Sequence, residues 1–200
     1  MQRNLMAILR GVKPHEVAAI SDALVGAGIS QIEVPLNSPQ ALDSIAILAD
    51  KLAGKAQIGA GTVLYCDEVK AVHAAGGQFI VSPNCDVEVI KLTKQLGMAS
   101  YPGVITPSEC FAALHAGADC LKLFPAFKLG VDGFKAVSAV LPKGTECYAV
   151  GGIDSHDFAA WRQAGIAGFG LASNLYKPGE TAEEIAQKAQ ILVAAWDACP

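Results

Sequence analysis

Short apolar runs alternate with helix-like segments along the chain, and glycines mark many of the transitions. In five places a helical pattern ends in a small or apolar residue plus glycine, and a β-like run follows: Ala27-Gly28, Ala75-Gly76, Leu96-Gly97, Ala116-Gly117 and Ala164-Gly165. Each glycine suits the residue after a helix, where a positive φ is needed. The intervals between these glycines are 48, 21, 20 and 48 residues. Two units in each long interval give a period of about 23 residues, close to one βα unit.

This period predicts eight consecutive βα units. The predicted strands cover about 4–10, 30–36, 56–61, 78–82, 98–102, 119–124, 145–150 and 166–171. The helix that follows each strand is predicted to begin near Pro14, Pro39, Cys66, Asp86, Pro107, Gly130, Asp154 and Thr181. Eight such units indicate an α/β fold of the (β/α)8 TIM-barrel type. A doubly wound open sheet is the alternative, but its G-x-G-x-x-G turn after the first strand is replaced here by RGVKPHE.

Composition favours one cytoplasmic domain covering residues 1–200. The hydrophobic content of 52% is enough for one sizeable core. The net charge of -4 and the lack of a basic cluster argue against nucleic acid as a partner. No apolar stretch is long enough to cross a membrane, and the N-terminus does not resemble a signal peptide. The six scattered cysteines are therefore expected to be reduced thiols rather than disulfides or a zinc site.

Two charged residues are predicted to point into the barrel. Alternate residues of a barrel strand face inward, and chemistry collects at the C-terminal strand ends. If the leucines on either side of Lys122 face the helices, Lys122 faces the interior. Ile32 and Val34 place Glu33 inside in the same way. A purely structural buried ion pair is the alternative, although such pairs add little net stability.

The loops after the last two strands are rich in glycine. Gly151 and Gly152 follow the seventh strand, and Gly170 and Ser173 lie at the end of the eighth. In such barrels these loops and a short helix N-terminus commonly hold a phosphate group. Paired glycines alone often mark nothing more than a turn. The presence of glycine in both loops favours a phosphate site.

Lysine chemistry fits these residues better than metal chemistry. A lysine attacks a carbonyl when its amine is neutral, and burial or a nearby cation lowers the lysine pKa. Arg10, at the end of the first strand, is a candidate cation, and Thr62 ends the third strand. Either could also be an ordinary polar residue at a wet strand end. A Schiff base would permit cleavage of an adjacent carbon–carbon bond, with Glu33 moving protons. Metal ligands are scarce, because the histidines all fall in predicted helices: His15, His73, His115 and His156.

The motifs at the strand ends resemble those of the KDPG/KDPGal aldolase family, class I aldolases that cleave 2-keto-3-deoxy-6-phospho-sugar acids. The resemblance spans essentially the whole chain, in the order AILRG, IEVPLNSP, IGAGTVL, VSPN, YPGVITPSE, LKLFPA, AVGG and GLASNLY. It implies that Lys122 forms an imine with the C2 carbonyl of the substrate, and that Glu33 is the general acid/base, acting through a water. It also implies a homotrimer that needs no cofactor and no metal.

The resemblance assigns the other pocket residues as well. Arg10 and Thr62 would lie at the substrate carboxylate, and Pro83 and Phe124 would shape the pocket wall. The phosphate would be held by the residues of the two glycine-rich loops: Gly151, Gly152, Gly170 and Ser173. Phe127 and Lys128 depart from the family pattern, and we expect Lys128 to be solvated.

Two positions favour the galactonate branch of the family over the gluconate branch. Asn37 follows EVPL where gluconate-type enzymes carry EVxLRT, and Val150 precedes the paired glycines where they carry threonine. The substrates differ at the C4 hydroxyl, to which a threonine can hydrogen-bond and Val150 cannot. Losing one such bond shifts preference by only about 1 kcal/mol, so activity on both substrates stays open. A phosphosugar isomerase or epimerase and a non-catalytic phosphosugar-binding barrel also stay open.

Overall fold

The computed structural model describes residues 3–199, in which parallel strands enclose a narrow interior and helices cover the outside. The strands are β1 Leu5–Ile8, β2 Gln31–Pro35, β3 Gln57–Gly61, β4 Phe79–Val81, β5 Ala99–Tyr101, β6 Gly103–Val104, β7 Leu121–Leu123, β8 Cys147–Val150 and β9 Gly168–Leu171. The helices are α1 Val17–Ala27, α2 Ala41–Lys51, α3 Cys66–Ala74, α4 Val87–Gln95, α5 Pro107–His115, α6 Ala126–Ser138, α7 Phe158–Gln163 and α8 Ala182–Asp197. A one-turn 3₁₀ helix, Ser155–Asp157, precedes α7.

The strands close into a barrel because β5 and β6 are two halves of one strand position. β5 pairs with β4, and β6 pairs with β7. Pro102 separates the two halves, and proline has no N–H to donate. Its carbonyl still accepts a hydrogen bond of 2.9 Å from the Lys122 amide, so the two edges of the sheet meet. The predicted eight-position barrel is confirmed, and the open-sheet alternative is wrong.

Most predicted boundaries agree with the structure, with a few corrections. Each predicted strand range contains an observed strand, and β6, Gly103–Val104, lies just after the predicted fifth range of 98–102. The first helix begins at Val17, and His15 lies in the turn before it rather than in a helix. The sixth helix begins at Ala126, four residues before the predicted start at Gly130. Gly130 has a non-helical φ of 68° and ψ of 170°, so it divides the helix into a short first part and a longer second part. The glycines of the repeated pattern have the expected positive φ: Gly28, Gly76, Gly97, Gly117 and Gly165.

Helix entry follows ordinary capping chemistry. The Asp86 side chain accepts hydrogen bonds from the backbone of Glu88 and Val89 at the start of α4. Thr181 and Glu184 form a reciprocal capping box at the start of α8. These caps satisfy backbone N–H groups that have no partner within the helix. The short loops between strands and helices are therefore well defined, which matters because they carry the candidate site.

Strand alternation divides the buried side chains into an outer layer and a barrel interior. Leu121 and Leu123 belong to the large outer core against the helices, as do Ile32 and Val34. The interior holds a smaller apolar cluster of Met6, Ile8, Phe79, Val81, Cys120, Tyr148 and Val150. Glu33 and Lys122 lie on the interior face, as predicted. The barrel therefore delivers one carboxylate and one amine to the same narrow space.

A polar and aromatic layer fills the barrel beneath these two groups. The Tyr148 hydroxyl donates to Gln31 Oε1 at 3.2 Å, and Gln31 lies two residues before Glu33 on β2. Tyr101 packs edge-on against both Phe79 and Tyr148, with centroid distances of 5.7 Å. Side chains thus fill the barrel here. Access to Glu33 and Lys122 is from the C-terminal ends of the strands.

The cysteines Cys66, Cys85, Cys110, Cys120, Cys147 and Cys199 all carry free thiols. Among residues 3–199, no helix combines the length and apolar character needed to cross a membrane.

Candidate active site

Lys122 is a buried amine in the middle of the barrel. Its side chain is only 6% exposed, because the flanking leucines of β7 turn it inward. Its Nζ lies 5.0 Å from the centroid of the Phe124 ring. Burial lowers the pKa of Lys122 below its usual range, and the positive charge of Arg10 acts in the same direction while Glu33 opposes it. The neutral form of this amine, which is the nucleophilic one, is therefore easier to reach here than for a lysine in water.

Glu33 is the buried carboxylate that faces the same space. It is 1% exposed, and its Oε2 has no hydrogen-bond partner among the described residues. Burial raises the pKa of Glu33, while the charges of Lys122 and Arg10 oppose the rise. Gly61 makes room for the carboxylate, because a Cβ at position 61 would lie 2.6 Å from Glu33 Oε1. A raised pKa makes the carboxylate a stronger base, which suits a group that first accepts and then returns a proton.

The geometry argues against a purely structural ion pair. Among the described residues, no salt bridge within 4.0 Å joins Glu33 to Lys122. A buried pair retained for stability needs close contact and satisfied oxygens to offset the cost of desolvation. The unpartnered Glu33 Oε2 does not meet that condition. The arrangement leaves both groups available to a bound molecule.

Arg10 and Thr62 meet at the mouth of the barrel, as predicted. Arg10 Nη1 donates to Asn37 Oδ1 at 2.8 Å and to Thr62 Oγ1 at 3.4 Å. Thr62 has a φ of 57°, which is uncommon for a β-branched residue. Such strain tends to persist where a functional position requires it. The exposed guanidinium and the threonine hydroxyl can together bind a carboxylate.

The predicted phosphate residues come together around one cavity of about 270 Å³. It is lined by Gly151, Gly152, Ile153, Asp154, Gly170, Ala172, Ser173 and Asn174. The amides of Gly152, Ser173 and Asn174 donate no hydrogen bond to another described residue. Residues 173–175 form a turn, in which Tyr176 N donates to Ala172 O at 2.9 Å. Free amides and the Ser173 hydroxyl still offer an anion several donors.

The remaining predicted residues lie at or just after the C-terminal ends of their strands. Val150 faces the interior opposite Gly170, where a Cβ would lie 2.8 Å from Val150 Cγ2. Phe124 lies past the end of β7 and is 39% exposed, so its predicted place within the buried strand is wrong. Its ring instead borders the barrel mouth beside Gly151. Pro83 is half-buried after β4.

Several neighbours of the site were not predicted from sequence. Asn37 contacts Arg10, and Asn174 lines the anion cavity, where its Nδ2 donates to Ile153 O at 3.1 Å. Phe127 is 60% exposed, and its backbone amide donates to Gly151 O at 3.1 Å. Lys128 is exposed, with its Nζ 5.5 Å from the centroid of the Phe127 ring. Asn37, Phe127 and Lys128 stood out in the sequence only as unusual residues after EVPL and FPA, and the expectation that Lys128 is solvated is confirmed. Asn174 lies in the motif GLASNLY but was not singled out.

Histidines do not contribute to this site. His73 lies in α3, His115 lies in α5, and His156 lies in the 3₁₀ helix. Within residues 3–199, no group of three or more histidine, cysteine, aspartate or glutamate side chains is arranged to hold a metal ion.

Comparison with known proteins gives consistent matches over nearly the whole chain. The family model described as "Aldolase: KDPG and KHG aldolase" matches residues 1–187. A probable 2-dehydro-3-deoxy-6-phosphogalactonate aldolase of Rhizobium meliloti is 46% identical over 198 residues, covering 99% of this chain and 93% of the relative. The 2-dehydro-3-deoxy-6-phosphogalactonate aldolase of Escherichia coli is 45% identical over 192 residues, covering 96% of this chain and 94% of the relative. A solved structure titled "Native KDPGal structure" superposes with a TM-score of 0.97 at 44% identity, covering 98% of this chain and 96% of that one.

The raised pKa of Glu33 predicts a pH-dependent stability difference for Glu33→Gln. A group whose pKa is higher in the folded than in the unfolded protein stabilises the fold at low pH, and this contribution disappears as pH rises through the folded pKa. Glu33→Gln is therefore expected to be more stable than the wild type by about 1 kcal/mol near pH 8, with the difference shrinking toward about pH 4. Denaturant unfolding across this range measures it.

Glu183→Gln is the matched control, because Glu183 is exposed on α8. It should change the free energy of unfolding by no more than about 0.5 kcal/mol at any pH. A Glu33→Gln difference that stays constant with pH, or grows toward low pH, would contradict the assignment of a raised pKa to Glu33.

Proposed function

The chain belongs to the KDPG and KHG aldolase family and is a class I aldolase. On that premise we propose that it cleaves 2-dehydro-3-deoxy-6-phospho-D-galactonate to pyruvate and D-glyceraldehyde 3-phosphate. The reaction proceeds through a Schiff base on Lys122. The observation that carries this proposal is the buried Lys122 amine. Its pKa is lowered, and it shares the barrel interior with a buried carboxylate.

Lys122 is the nucleophile in this reaction. Its neutral amine attacks the C2 carbonyl, and loss of water from the carbinolamine gives an imine. The C3–C4 bond then breaks, and its electron pair moves into the imine to form an enamine. D-Glyceraldehyde 3-phosphate leaves as the aldehyde. Protonation at C3 and addition of water to the imine release pyruvate and restore the amine.

Glu33 moves the protons. It accepts the proton of the C4 hydroxyl as the C3–C4 bond breaks, through an intervening water, and later returns a proton to C3. These opposite steps require a group whose two protonation states are close in free energy. The raised pKa of Glu33 brings that carboxyl closer to this condition than an exposed glutamate.

The two ends of the site fit the two charged ends of the substrate. The Arg10 guanidinium and the Thr62 hydroxyl take the carboxylate next to C2. The free amides of the β8 and β9 loops, together with Ser173, take the phosphate. Pro83, Phe124 and Val150 form the wall between them. The whole activity resides in one barrel domain that spans residues 1–200 and uses no cofactor and no metal.

The preference for the galactonate substrate rests on Val150 and on the two relatives that carry that name. Val150 presents methyl groups where a threonine would present a hydroxyl toward C4. We therefore propose a modest preference, with 2-dehydro-3-deoxy-6-phosphogluconate as the alternative substrate. This activity belongs to the De Ley-Doudoroff route of galactonate metabolism.

The cellular setting follows from the same family membership. We propose a homotrimer in the cytoplasm, where six free thiols would stay reduced.

Trapping with borohydride tests the Schiff base. Wild-type protein incubated with pyruvate and borohydride should gain the mass of one reduced pyruvyl group, located on the peptide that contains Lys122. Lys122→Ala should gain nothing, because the attacking amine is gone. Lys143→Ala, which removes an exposed lysine from the loop before β8, should be labelled like the wild type. Intact-mass and peptide mass spectrometry read out both results.

An unlabelled wild-type protein would contradict the Schiff-base mechanism. If the unlabelled protein also converted a phosphosugar without breaking a carbon–carbon bond, the activity would be that of an isomerase or epimerase. Binding of a phosphosugar without turnover would indicate a non-catalytic barrel.

Val150→Thr tests the basis of substrate preference. The added hydroxyl should shift the ratio of kcat/KM about fivefold toward the gluconate-type substrate, since one hydrogen bond is worth about 1 kcal/mol. Pyruvate-coupled assays with both C4 epimers measure this ratio. Val150→Ala is the control, because it removes volume without adding a hydroxyl. A ratio unchanged in Val150→Thr, or shifted equally by both variants, would rule out this role for position 150.

A further inference from the structure

The Arg10 side chain is held in place entirely by neutral oxygen atoms. Its Nη1 donates to Asn37 Oδ1 at 2.8 Å and more weakly to Thr62 Oγ1 at 3.4 Å. Among the described residues, no carboxylate lies within 4.0 Å of its guanidinium. Arginine is normally drawn to carboxylates, with which it forms strong bidentate pairs. Arg10 is therefore held by neutral partners, and its positive charge has no carboxylate paired directly with it.

Asn37 is itself fixed by the loop that carries it. Ser38, the next residue, is 7% exposed, and its Oγ accepts a hydrogen bond of 2.9 Å from the Gly11 amide. The Ser38 amide donates to Pro35 O at 2.9 Å, which closes the turn at the end of β2. Asn37 and Ser38, in the loop after β2, thus contact Arg10 and Gly11, in the loop after β1. This double contact sets where the Asn37 oxygen lies relative to the guanidinium.

We propose that Asn37 is a positioning residue, which fixes the Arg10 guanidinium for the substrate carboxylate while leaving its charge free. This inference rests on the proposed function, since it assigns the carboxylate of the substrate to Arg10. A long arginine side chain loses rotamer freedom when it binds, and prior ordering removes that cost from the binding step. An aspartate at position 37 could accept the same hydrogen bond from Arg10 Nη1, but its negative charge would pair with the guanidinium and weaken the attraction of Arg10 for the substrate carboxylate.

Two substitutions at position 37 separate the effect of side-chain charge, tested by Asn37→Asp, from the effect of side-chain shape, tested by Asn37→Ala. The readout is the pyruvate concentration that gives half-maximal borohydride labelling of Lys122, because pyruvate carries the carboxylate but no phosphate. Asn37→Asp should raise this concentration at least tenfold, and Asn37→Ala should raise it severalfold. Lys122 itself is unchanged in both variants, so the same peptide carries the label throughout. A merely structural asparagine would tolerate the isosteric Asn37→Asp change.

A double-variant cycle shows whether Asn37 acts through Arg10. If it does, Arg10→Ala combined with Asn37→Ala should bind pyruvate no more weakly than Arg10→Ala alone. Gln40→Glu is the charge control, because it adds a negative charge to the same loop at an exposed residue whose side chain hydrogen-bonds to Asp43 rather than to Arg10. It should change the half-saturating concentration less than twofold.

The outcomes distinguish this inference from the proposed function. Failure of the wild type to be labelled would remove the Schiff base itself. Normal wild-type labelling with an unchanged Asn37→Asp protein, an equal effect of Gln40→Glu, or additive effects in the cycle would overturn the role of Asn37 while leaving the aldolase mechanism intact.

Discussion

The burial of two ionisable groups in one narrow barrel is the constraint on which this molecule depends. Lys122 and Glu33 are 6% and 1% exposed, and desolvation is the largest influence on the pKa of each. It disfavours the ammonium and the carboxylate alike. Their mutual attraction opposes this in part, and Arg10 favours the ionised Glu33 and the neutral Lys122. The lowered pKa of the Lys122 amine and the raised pKa of the Glu33 carboxyl have the same main cause, which is exclusion of water by the barrel.

The rest of the fold can be understood as what makes that burial possible. Leucines on both sides of Lys122 direct it inward, and glycine at position 61 leaves the space that the Glu33 carboxylate occupies. The aromatic layer below fills the barrel, so that substrate reaches these groups from the C-terminal strand ends alone. The loops at those ends then supply a cation on one side and free amides on the other. Burying two ionisable groups costs folding stability, and active sites commonly carry such a cost because the buried groups are reactive.

Sequence reasoning found the parts of this site that depend on strand periodicity. Alternation along β2 and β7 was enough to turn Glu33 and Lys122 inward, and helix-ending glycines were enough to count the βα units. It did not find the Arg10–Asn37 contact, because that contact joins loops 27 residues apart and depends on how each loop turns after its strand. It also placed Phe124 inside the strand. Local propensity could not show that β7 stops at Leu123 or that residues 173–175 form a turn.

The pKa of Lys122 is the quantity that tests this account most directly. It can be measured by NMR titration of protein carrying isotopically labelled lysine, with the Lys122 signal assigned by its absence from Lys122→Ala. The account predicts a midpoint below the ordinary lysine value of 10.5, lower still in Glu33→Gln and higher in Arg10→Ala. A midpoint at or above 10.5 in the wild type would contradict it, because Lys122 would then be held as an ammonium by the same interior that is said to favour its neutral form.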